Sequence, residues 1–86
     1  MSADIASLID LLPAAARKAA LESDADTART SPVLHFGLSS TQVIEYMMKI
    51  ESKFDIMIGD IDILEFGNKS LETIQDLISM QLGEGK

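Results

Sequence analysis

The chain of 86 residues has room for one folded domain, with 47% apolar residues to build a core and 24% charged residues for an ordinary soluble surface. Seven basic against fourteen acidic residues give a net charge of −7, which repels nucleic-acid phosphates and anionic lipid heads and favours a basic patch on another protein as partner. The lack of cysteine excludes disulfides, thiolate metal sites and a cysteine nucleophile.

The first apolar stretch places Ile5, Leu8, Ile9 and Leu12 at helical spacing and continues through an alanine-rich run to Leu21. Pro13 either bends one helix or opens a second helical segment at its first turn, and a single helix over residues 4–21 with a bend near Pro13 is the preferred reading. The run 5–12 falls far short of the ~20 residues of a membrane span and has no basic cluster before it. A cytoplasmic monomer is the expectation.

Residues 22–32, ESDADTARTSP, show no apolar period and end in proline, so a long surface loop is expected. Over residues 40–54, Val43, Met47, Ile50 and Phe54 fall on one stripe, widened by Ile44 and Met48; this is the clearest helix of the chain. Residues 55–66 mix β-branched residues with acids and Gly59. A strand is conceivable there, but it would lack a partner, so a loop with a short helix around 60–64 is expected. The last helix begins after a Ser70 cap, carries Leu71, Ile74, Leu77, Ile78 and Leu82 on one face and stops at Gly83. The fold class is therefore all-α: a four-helix bundle with three longer helices and a short third, one domain over 1–86 with a frayed tail at 83–86. Its expected core is Ile5, Leu8, Leu12, Val43, Met47, Ile50, Phe54, Ile61, Leu64, Leu71, Ile74 and Leu77.

Chemistry concentrates where the chain enters its best helix, Phe36-Gly37-Leu38-Ser39-Ser40-Thr41-Gln42. Ser39 followed by Gln42 forms a capping box, and Leu38 with Val43 a hydrophobic staple. Ser40 is then free of capping duty, and its hydroxyl sits at the positive end of the helix dipole, an environment that favours phosphate. Ser40 and Thr41 also read as plain polar first-turn residues.

These residues resemble the acyl and peptidyl carrier proteins, whose pattern is Gly, any residue, Asp, Ser, Leu at the start of the second helix. Gly37-Leu38-Ser39-Ser40-Thr41 takes that place, and Glu45, Met48, Glu51, Phe54 and Asp55 follow at the family's spacing; the likeness covers roughly residues 31–82. The fourteen-residue step to Phe54 selects Ser40 over Ser39. The resemblance implies a carrier that is not itself an enzyme. It implies 4′-phosphopantetheine, delivered from coenzyme A by a phosphopantetheinyl transferase, on Ser40, with Ser39 as the cap beside it. An acyl or aminoacyl thioester on that arm would be presented to a ligase and to acyl-processing enzymes of a fatty-acid, polyketide or nonribosomal-peptide type pathway. Two positions depart from the pattern: Ser39 stands for Asp and Thr41 for Leu or Ile.

The expected docking surface is Thr41, Gln42, Glu45 and Lys49 on the second helix with Asp60 and Asp62 beyond it. Glu45 and Glu51 balance Lys49 and Lys53, while Asp55, Asp60, Asp62 and Glu65 have no base among them, so the region of the third helix is the electrostatic handle. Met47 and Met48 read as core, and their pliable thioethers would also suit the cavity for a flexible acyl chain that the resemblance implies. Other chemistries fail on residue type. A hydrolase elbow needs glycine at position 41, and a calcium loop begun at Asp60 would need glycine at Glu65 and glutamate at Leu71. His35 reads as a surface loop residue. The rival function is a non-carrier acidic helical module docking a basic protein, with Ser40 unmodified or phosphorylated.

Overall fold

A computed structural model describes residues 4–83. The Asp4 carboxylate accepts the Ser7 N–H at 2.8 Å and starts α1, Ile5–Asp10. That hydrogen bond holds the Asp4 carboxyl below its ordinary range. Pro13 does more than bend a helix. It has no N–H to continue the ladder and restricts Leu12 before it, so α1 ends and Pro13 becomes the N-cap of a separate α2, Ala14–Glu22. The single bent helix over 4–21 is thus replaced by two helices joined through Leu11, Leu12 and Pro13.

The expected loop at 22–32 contains a helix, α3, Ala25–Thr30. No long apolar face announces it; local chemistry does. Asp24 caps the Thr27 N–H at 2.7 Å, Arg29 pairs with Asp26 at 3.0 Å, and the small side chain of Ala28 is buried. Arg29 also reaches Glu72 at 3.7 Å and so ties α3 to the last helix. A 3-10 turn, Val33–Phe36, follows, with Val33 N–H donating to the Lys69 carbonyl.

The long α4, Ser40–Phe54, buries Val43, Tyr46, Met47, Ile50 and Phe54. Ile44 and Met48, expected to widen that stripe, are instead exposed, Met48 at 61%. The buried arc is completed by Tyr46, which leaves the two flanking residues on the solvent side. Asp55 closes the helix in the left-handed region, φ 55°.

Beyond it burial alternates, with Ile56 and Ile58 buried and Met57 and Gly59 exposed, but no strand forms among the described residues. The partly buried Glu51 carboxylate accepts the Ile58 N–H at 2.8 Å and holds this segment to α4. The short α5 is Ile63–Gly67, three residues later than expected, because Asp62 rather than an earlier residue caps it through the Leu64 and Glu65 N–H groups. That shift turns Leu64 out to 64% exposure and puts Phe66 in the core. At its end Gly67 lies so close to the 3-10 turn that a Cβ there would fall 2.7 Å from Leu34 Cγ.

Ser70 caps α6, Leu71–Gln81, as expected, and Leu71, Ile74 and Ile78 are buried. Gly83, φ 75°, follows the helix; the rest of the expected frayed tail lies outside the described residues. The fold is all-α. The α1–α2 pair stands for the first long helix, α4 and α6 are the other two, and α5 is the short one.

Leu8, Leu12, Val43, Met47, Ile50, Phe54, Leu71 and Ile74 lie in the core as expected, with Ile5, Ile61 and Leu77 half-buried against it. The core also includes Ile9 and Ile78, which lie on the expected helical faces, Leu38 of the expected staple, and Val33, Phe36, Tyr46, Ile56, Ile58 and Phe66, which no expected apolar stripe contained. No helix among the described residues is long and apolar enough to cross a membrane.

Candidate functional site

The start of α4 is built by four consecutive residues with different tasks. Gly37 takes φ 91°, a left-handed value that favours glycine, and turns the chain out of the 3-10 turn. Leu38 then dips into the core and, with buried Val43 one turn into α4, anchors the helix entrance. Ser39 has extended backbone; its Oγ accepts the Gln42 N–H at 3.2 Å while Gln42 Oε1 accepts the Ser39 N–H at 3.0 Å. The Val43 N–H donates to the Ser39 carbonyl at 2.9 Å.

Ser40 is the first helical residue and is exposed. Of the first four N–H groups of α4, those of Gln42 and Val43 are taken by Ser39, which leaves the N–H groups of Ser40 and Thr41 at the positive end of a fifteen-residue helix. The Ser40 residue is exposed at that end of the helix. A phosphodiester on it would sit where anions are stabilised, so the residues present suit a 4′-phosphopantetheine arm.

Thr41, Glu45 and Lys49 are exposed along α4, and Asp60 is exposed on the segment before α5. Gln42 and Asp62 carry structural duties: Gln42 closes the capping box and Asp62 caps α5. Glu51 is likewise turned to the Ile58 N–H. The sequence reading missed the apolar part of this surface. Ile44 and Met48, one turn apart on α4, are exposed, and Leu64 is exposed on the adjoining α5. The signal was present in the four-residue spacing of Ile44 and Met48, but without Tyr46 assigned to the core they read as core themselves.

His35 lies in the 3-10 turn, exposed, rather than in an open loop. Among the described residues no group of three or more histidine, aspartate or glutamate residues could hold a metal ion.

No family model matches the chain, and no solved structure matches it significantly. It is 33% identical over 61 residues to aminoacyl carrier protein 2 of Bradyrhizobium diazoefficiens, an alignment covering 71% of this chain and 68% of that protein. The chain belongs to the carrier-protein family.

Proposed function

We propose that the chain carries an acyl or aminoacyl group as a thioester on a 4′-phosphopantetheine arm attached to Ser40. The observation that carries this reading is the division of labour at the head of α4: Ser39 does the capping, and Ser40 stands exposed beside two N–H donors. In the attachment, Ser40 Oγ gains a phosphoester bond, the pyrophosphate link of coenzyme A breaks, and adenosine 3′,5′-bisphosphate leaves. When bound, the arm supplies the thiol on which the thioester forms. The name of the Bradyrhizobium relative favours an aminoacyl load.

The chain's own residues bind and present rather than catalyse. Ser39 and Gln42 fix the helix end, so the point of attachment is rigid, and the arm gives partner enzymes a high local concentration of cargo. The partners are a phosphopantetheinyl transferase, a ligase that loads the thiol, and an enzyme that takes the acyl group on. They dock on Thr41, Glu45, Lys49 and Asp60, with Gln42 and Asp62 at the edges and Ile44, Met48 and Leu64 as the apolar contacts. A small, partly polar surface suits a short-lived complex.

Incubation with coenzyme A and a promiscuous phosphopantetheinyl transferase, followed by intact mass, tests the reading. The native chain is expected to gain one phosphopantetheinyl group and Ser40→Ala none. No gain on the native chain would leave the acidic interaction module as the better reading.

A further inference from the structure

We propose that Tyr46 closes the bundle interior to cargo, so that the group carried on Ser40 stays in solvent and is a short or polar acyl group rather than a long alkyl chain. This rests on the carrier reading of Ser40. A chain tethered at Ser40 and entering the bundle would run down the buried face of α4, past Val43 to Met47 and Tyr46, the latter roughly 9 Å along the helix axis at 1.5 Å per residue. Tyr46 fills that place. It is 1% exposed, its ring meets Phe66 of α5 edge-on with centroids 6.2 Å apart, and its hydroxyl donates to the Leu8 carbonyl of α1 at 2.8 Å.

One residue thus joins the three helices that an incoming chain would have to part. The bond to Leu8 makes this closure resistant. The Leu12 N–H, which would serve the Leu8 carbonyl in a continuing helix, is diverted to Ile9 by the break before Pro13. Moving Tyr46 aside would therefore leave a buried carbonyl without a donor. One open cleft of the fold lies away from α4. A cleft of about 400 Å³, lined by Ile5, Ile9, Ala20, Leu21, Ala28 and Arg29 among others, is formed by α1, α2, α3 and the link between the last two, and no residue of α4 lines it.

The test loads the protein through the transferase with glycyl- and octanoyl-coenzyme A, checks each by intact mass, and compares thermal midpoints and the methyl spectra of Val43, Ile50 and Ile74. The expected result is the same midpoint and the same methyl positions for both loads. Burial of the octanoyl chain would raise the midpoint by more than about 5 °C and shift the core methyls, which would overturn the proposal. In Tyr46→Ala the octanoyl load is expected to raise the midpoint where the glycyl load does not. A folded Tyr46→Ala protein indifferent to chain length would remove Tyr46 from the role. If that variant does not fold, the native comparison decides. Absence of any added mass would instead count against the carrier reading itself, so the two failures are separable.

Discussion

The Tyr46 hydroxyl donates across 38 residues of sequence to the Leu8 carbonyl, a backbone acceptor at the end of α1 that the helix's own ladder leaves unserved. A side chain from α4 therefore caps α1, and the bond ties the N-terminal segment to the helix that bears Ser40. Tyr46→Phe keeps the ring and its contact with Phe66 but orphans that carbonyl. The expected loss is about 1–2 kcal/mol, measured by urea denaturation.

The same phenol gives an alkaline signature. Burial pushes its ionisation well above the ordinary value of 10.0. Because the folded-state value is raised, the stability it contributes is complete below the unfolded value and falls as pH rises from there through the folded value. The native protein is expected to lose stability above about pH 10 more steeply than Tyr46→Phe, read as thermal midpoints against pH.

Ser39 should matter to the fold and Ser40 should not. Ser39→Ala removes the acceptor for the Gln42 N–H and is expected to cost about 0.5–2 kcal/mol. Ser39→Asp keeps an acceptor and adds a negative charge at the positive helix end, so it should equal or exceed the native stability. Ser40→Ala should lie within about 0.5 kcal/mol of native, as expected for an exposed residue outside the cap.

The outcome at α3 shows where sequence patterning stops. Helices α4 and α6 were legible because each has a capping serine and a sustained apolar stripe, Val43 to Phe54 in one and Leu71 to Ile78 in the other. In α3 a single buried alanine is the whole apolar signal, and the helix depends on the Asp24 cap and on α6 behind it. The break before Pro13 was legible only as one of two options, since a proline can sit inside a bend or at a start. The register of α5 depended on which aspartate caps it, and Asp60 and Asp62 are equivalent by composition. At the candidate site, the entrance from Gly37 to Gln42 was readable residue by residue because its capping chemistry is local. Tyr46 was not, because its hydroxyl partner lies on another helix.

The cap on α3 predicts its acid behaviour. The Thr27 N–H holds the Asp24 carboxyl below its ordinary value of 3.8. Because the folded-state value is lowered, this contribution is present above the unfolded value and lost as pH falls through the folded one. Amides of α3 are expected to lose protection as pH falls below the ordinary carboxylate range, before those of α4, and Asp24→Asn, which keeps an acceptor, should flatten that dependence.

Asp55 ends α4 in a left-handed conformation with a negative charge at the negative end of the helix. Asp55→Asn tolerates the same backbone and removes the charge, so a gain of about 0.3–1 kcal/mol is expected in chemical denaturation.

The most direct measurement is fragmentation mass spectrometry of the protein after treatment with coenzyme A and phosphopantetheinyl transferase, which resolves neighbouring serines. The expected result is a single phosphopantetheinyl group on Ser40, with Ser39 unmodified. An adduct on Ser39, or none on either serine, would contradict the assignment of capping to Ser39 and attachment to Ser40.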